Sequence, residues 1–169
     1  MPSNSRRVSI EICDHTYLRK DQCSHCLNGP PRLSPRYQLK TGWYKGSPVV
    51  EILKDGGPVH PYDEHFRFRV QKARLLLTAL EVIKEFAANT DEEGNTTVPS
   101  QFLHDGSGAI LQIWVEMNED FVRSTGEKIE RPWLQIRRMP DGPQIGVGVQ
   151  KAKAVCALAR QLRNWVEHK

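Results

Sequence analysis

Polar and apolar positions along the chain follow a plan that is stated twice. At Phe66-Arg-Phe-Arg-Val70 apolar and basic residues alternate, the mark of a strand with one buried and one cationic face. The period then lengthens. Ala73, Leu76, Leu77, Leu80, Ile83 and Ala87 recur at steps of three and four, which predicts a helix over Gln71–Ala88. Ile145-Gly-Val-Gly-Val149 and the residues after it repeat this order and predict a second helix over Gln150–Glu167. Phe66–Ala87 aligns with Ile145–Val166 without a gap and shares a Val-Gln-Lys-Ala step. A repeat of this kind speaks to architecture before it speaks to function.

The same patterning predicts strands at Arg6–Ile12, Tyr37–Tyr44 and Val49–Leu53, with turns at Lys45-Gly-Ser-Pro48 and Asp55-Gly-Gly-Pro58. Val59–Glu64 reads as a polar excursion, and Asn89–Pro99 as an acidic linker between halves. In the second half, strands are expected at Gln101–Leu103, Ala109–Asn118 and Trp133–Arg138, with a polar connection over Phe121–Glu130. Trp133–Arg138 matches Val49–Lys54, and Asp141-Gly-Pro143 matches the earlier glycine turn. The expected fold is therefore α+β: two pseudo-symmetric repeats, each an antiparallel sheet plus a C-terminal helix, packed as one unit. One small sheet with one helix buries little surface, so the halves need each other. The boundaries are 1–35 for an N-terminal strand and Cys/His segment, 36–89 and 100–169 for the repeats, and 90–99 for the linker.

Cysteine placement adds a candidate metal site. Cys13-Asp-His15, a seven-residue loop and Cys23-Ser-His-Cys26 set four ligands in a compact stretch. Zinc takes four such ligands in a tetrahedron, and Cys-x-x-Cys presents two thiolates from one turn. Cys13, His15, Cys23 and Cys26 are the expected set for a structural zinc, with His25 as the alternative fourth ligand. Cys156 stands alone in the last helix, so a disulfide framework is not expected. The start of the chain lacks a signal-peptide pattern and no apolar run spans a membrane. A cytoplasmic, nuclear or nucleoid-associated protein is expected in preference to a secreted one.

Charge then narrows the partner. The chain of 169 residues carries a formal net charge of +4. From Phe121 onward there are ten Lys and Arg against four Asp and Glu. A clustered positive excess is the footprint of a polyanion binder.

The run Pro132-Trp-Leu-Gln-Ile-Arg-Arg-Met-Pro-Asp-Gly-Pro-Gln-Ile-Gly-Val-Gly-Val-Gln-Lys-Ala-Lys153 carries a family resemblance, as do Pro48–Pro58 and Phe66–Arg74. This layout is similar to the single-stranded nucleic-acid-binding group containing the PUR proteins, the Whirly proteins and a transcriptional coactivator family built on the same half-unit. The likeness covers most of Tyr37–Lys169 and excludes the Cys/His segment. It implies binding of unpaired nucleic acid, DNA ahead of RNA, on a curved exposed sheet face, often by a dimer or pseudo-dimer.

Single strands are held by cations along the backbone and by aromatic faces on which bases stack. Candidate stackers are Trp43, Tyr44, Trp114 and Trp133, the last two equally suited to a core. Candidate phosphate contacts are Arg67, Arg69, Arg137 and Arg138, with Lys72, Arg74, Lys151 and Lys153 at the helix starts. Phe66, Phe68, Phe86 and Trp165 read as core. Two rival classes remain. His60, Asp63, Glu64 and His65 could serve acid–base chemistry or a catalytic metal, yet nothing completes such a site, and an enzyme is not expected. A zinc-stabilised adaptor or inhibitor that binds a protein of a nucleic-acid-processing complex would use the same exposed sheet.

Overall fold

The computed structural model describes residues 34–60, 65–91, 93–121 and 125–169. The chain divides into two compact units after Pro35, and the architecture below is that of Arg36–Lys169. The predicted strand Arg6–Ile12 and the ligands Cys13, His15, Cys23 and Cys26 lie outside the described residues.

The unit is α+β. Strands β1 (Tyr37–Tyr44), β2 (Ser47–Lys54) and β3 (Phe66–Arg69) form an antiparallel sheet in the order β1-β2-β3. Helices α1 (Val70–Thr78) and α2 (Leu80–Asn89) follow. Strands β4 (Gln101–His104), β5 (Ile110–Phe121), β6 (Lys128–Arg138) and β7 (Gln144–Gly148) form a second antiparallel sheet in chain order, and α3 (Val149–Glu167) closes the chain. Val49–Ile52 pair with Arg69–Phe66, and Trp133–Ile136 pair with Gly148–Ile145. The matched strands of the two copies thus pair in the same register.

Local chemistry accounts for the elements. Lys45 and Gly46 have φ of 50° and 73°, the two-residue turn whose twist suits a hairpin. The predicted helix over Gln71–Ala88 is interrupted at Ala79. Thr78 donates its hydroxyl to the Arg74 carbonyl at 2.9 Å, a back-bond that bends helices. The Ala79 N–H still reaches the Leu75 carbonyl at 3.0 Å, so no loop separates α1 from α2. The connection predicted over Phe121–Glu130 is shorter than expected, because β5 and β6 pair as far as Phe121 and Lys128. Charged pairs along this arm, Glu119 with Lys128 and Asp120 with Arg131, let polar residues continue a ladder.

One contiguous core joins both sheets and all three helices. Val50, Ile52, Phe66 and Phe68 meet Leu111, Ile113, Leu134, Ile136, Ile145 and Val147 through Leu76, Ile83, Phe86, Val155, Leu162 and Trp165. The helices cross over. The C-terminal helix α3 contacts β1 and β2, while α1 contacts β6 and β7. Each sheet therefore buries one face under helices and turns the other outward. Among the described residues, no helix is long and apolar enough to cross a membrane.

Candidate nucleic-acid interface

Alternation along the strands decides which side chains share an outer face. On the first sheet these are Lys40, Gly42 and Tyr44 of β1, Val49 and Glu51 of β2, and Arg67 and Arg69 of β3. Arg67 and Arg69 are exposed. Glu51 sits among these cations. It accepts hydrogen bonds from Arg67 Nη2 at 3.2 Å and shares one with His65 Nδ1 at 3.0 Å. The His65 contact, aided by Arg67, holds the Glu51 carboxyl below the usual glutamate range against the opposing effect of burial. Tyr44 has Lys45 Nζ 5.4 Å and the Arg67 guanidinium 6.0 Å from its ring centre. Trp43 is 74% exposed, far beyond the norm for so large an apolar group.

The outer face of the second sheet is built differently. Arg137 donates to Gln112 Oε1 at 2.6 Å, and its guanidinium lies 5.8 Å from the Trp114 ring. Trp114 Nε1 donates to Glu116 at 3.1 Å, and Gln135 Nε2 donates to the other Glu116 oxygen at 3.0 Å. Gln144 Nε2 in turn reaches Gln135 Oε1 at 3.2 Å. Gly146 makes this layer fit: a Cβ there would lie 2.8 Å from both Gln135 Oε1 and the Trp133 ring. Trp114 and Trp133 are half-buried, intermediate between the two readings of the sequence. Trp133 is flanked by Arg131 at 5.6 Å and by Lys151 at 5.0 Å. Its Nε1, like Arg137 Nε, is buried with no hydrogen-bond partner among the described residues.

The remaining sequence candidates scatter. Arg138 points to the opposite face from Arg137, because neighbours on a strand alternate. It lies 3.6 Å from Asp105 and lines a cavity of about 480 Å³ that Arg74 also borders. Lys72 is solvent-exposed. Lys151 is buried between the Phe66 and Trp133 rings, where it ties the two sheets together. Lys153 borders a cavity of about 600 Å³ at the start of α3, together with His60 and Arg131. Both α1 and α3 begin with no side-chain cap and no acidic residue in the first turn, so the basic residues there oppose the helix dipole.

Lys40, Glu51, Gln112, Glu116, Gln135 and Gln144 were not among the sequence candidates. The signal for Glu51 is available: it is the one charged residue inside Val49–Leu53, at the position facing Arg67 once the hairpin register is set. His65 is drawn to Glu51, while residues 61–64 lie outside the described set. Among the described residues no group of three or more His, Cys, Asp or Glu could hold a metal. Burial raises the Cys156 thiol, which keeps it protonated and a poor nucleophile. Compared with known protein families, curated proteins and solved structures, the chain matches none.

Proposed function

We propose that this protein binds single-stranded nucleic acid, DNA ahead of RNA, on the outward faces of two duplicated sheet-plus-helix units packed as one. In this reading the duplication is the one that PUR-like and Whirly-like proteins use. Cys13, His15, Cys23 and Cys26 hold a structural zinc in the same proposal. The observation that carries it is convergence: residues far apart in sequence, Lys40, Tyr44, Arg67 and Arg69, meet on one helix-free sheet face. Cations beside an exposed aromatic are what a single strand needs, since its backbone is charged and its bases have free faces.

Fluorescence anisotropy with single- and double-stranded oligonucleotides at two salt concentrations tests this. Affinity for the single strand should be the higher and should fall with salt by a log–log slope of roughly −0.7 per phosphate neutralised. Arg67→Ala with Arg69→Ala should weaken binding by about tenfold and flatten that slope, whereas Arg138→Ala, on the other face, should do neither. Unchanged affinity in a folded double variant would remove these residues from the interface. Metal analysis of protein never exposed to chelator should return about one zinc per chain.

Phe102 and Ile110, 62% and 37% exposed on the outer edge of the second sheet, favour a second reading as a protein-binding adaptor. An adaptor would keep its partner at salt that strips oligonucleotides, and would show no oligonucleotide binding at low salt.

A further inference from the structure

The first sheet's outer face contains a shallow cavity of about 170 Å³. Gly42 opens it: a Cβ at this position would meet nothing within 4 Å. Across the strand pair Val49 supplies an apolar floor, 7% exposed. Lys40, Arg67 and Glu51 form its polar sides, and the exposed Trp43 borders it as well. The volume is well under the roughly 300 Å³ at which drug-sized ligands begin to fit, so the occupant is one planar ring system.

We infer that this cavity is a subsite for a single unpaired nucleobase bearing an exocyclic amino group, lying over Val49 beside Gly42 with its amine donating to Glu51. The inference rests on the single-strand reading above and names the base class that this face selects. The argument is one of complementary groups. Lys40 and Arg67 suit the flanking phosphates. Glu51 is the carboxylate within the cationic face, and His65 and Arg67 hold it in place, each on a different oxygen. An ionised carboxylate is only an acceptor and has lone pairs to spare beyond those two bonds. Cytosine presents an amine to it, as in carboxylate readout of that base. Thymine or uracil would set a carbonyl oxygen against the carboxylate, which is repulsive. Tyr44 shares this face with Gly42, whereas Trp43, its neighbour along the strand, projects to the opposite one.

The test compares ten-residue oligothymidylate with the same oligomer carrying one central cytosine, by anisotropy on the full chain. The wild type should favour the cytosine-bearing probe by about fivefold or more. Gly42→Val fills the cavity from a position with open space, and should abolish that preference with the urea midpoint unchanged. Glu51→Gln should also abolish the preference, by removing the fixed acceptor charge. Equal wild-type affinity for the two probes, or a preference that survives Gly42→Val, overturns the subsite while the single-strand reading stands. Failure of the wild type to bind either probe at low salt overturns both.

Discussion

Glu51 shows how one residue joins stability to the candidate function. A carboxylate on a cationic face would be expected to weaken polyanion binding by its charge alone. Its two partners instead place it at a defined point, 3.0 Å from His65 and 3.2 Å from Arg67. Because its folded pKa is lowered, the pairing stabilises the protein above the ordinary value of 4.5 and is lost as pH falls through the lower folded value. The difference in urea midpoint between wild type and Glu51→Gln should therefore be largest near neutrality and shrink below about pH 4.5. Asp91, Asp105 and Asp120 are lowered as well, so only this paired comparison isolates Glu51. A difference that stays constant with pH would show that the contacts contribute nothing to stability.

Two strand glycines with opposite surroundings show what an element can tolerate. Gly146 in β7 is closed over by Gln135 and Trp133, and an added Cβ would come within 2.8 Å of both. Gly42 in β1 faces open space. Gly146→Ala should cost about 1–3 kcal/mol, as overpacking does, and should disturb Trp133 fluorescence. Gly42→Ala should be neutral or slightly stabilising in the same urea titration, since glycine weakens a strand interior. Equal effects at the two sites would contradict the packing described for the second sheet. The alternation Ile-Gly-Val-Gly-Val shows that β7 is a strand. It does not show that its glycines make room for a layer of Trp and Gln from β6.

For the whole molecule the crossed helices decide how the halves depend on each other. Helix α3 contacts β1 and β2 as well as β7, and α1 contacts β6 and β7 as well as β3, so each half loses part of its cover when separated. Residues 36–99 and 100–169 expressed apart should lack cooperative unfolding and dispersed amide resonances, and mixing them should restore both. A half that unfolds cooperatively alone would show that the crossed contacts are dispensable. Large core side chains reinforce the expectation. Phe86 of α2 and Leu162 of α3 are fully buried in a single core that reaches both sheets. Truncating Phe86 to Ala should cost about 3–5 kcal/mol, measured as a urea midpoint shift with retained slope.

The periodicity of the chain by itself determined most of the elements, because side-chain alternation and the three-four spacing are local properties of strands and helices. Tyr37–Tyr44 and the helix from Val149 could be placed from that spacing alone. Duplication of the plan carries through to the pairing, since Val49 and Trp133, matched in sequence, lie opposite Arg69 and Gly148. Tertiary structure decided the rest. It interrupted the first helix at Ala79, ran β5 and β6 past the expected connection, and set α1 and α3 against strands of the other half. It also decided burial among the candidate residues: Trp114 and Trp133 are half-buried, and Lys151 is buried between two rings. A side chain's burial depends on the contacts packed over it. Those are long-range contacts, and the spacing of residues along the chain does not contain them.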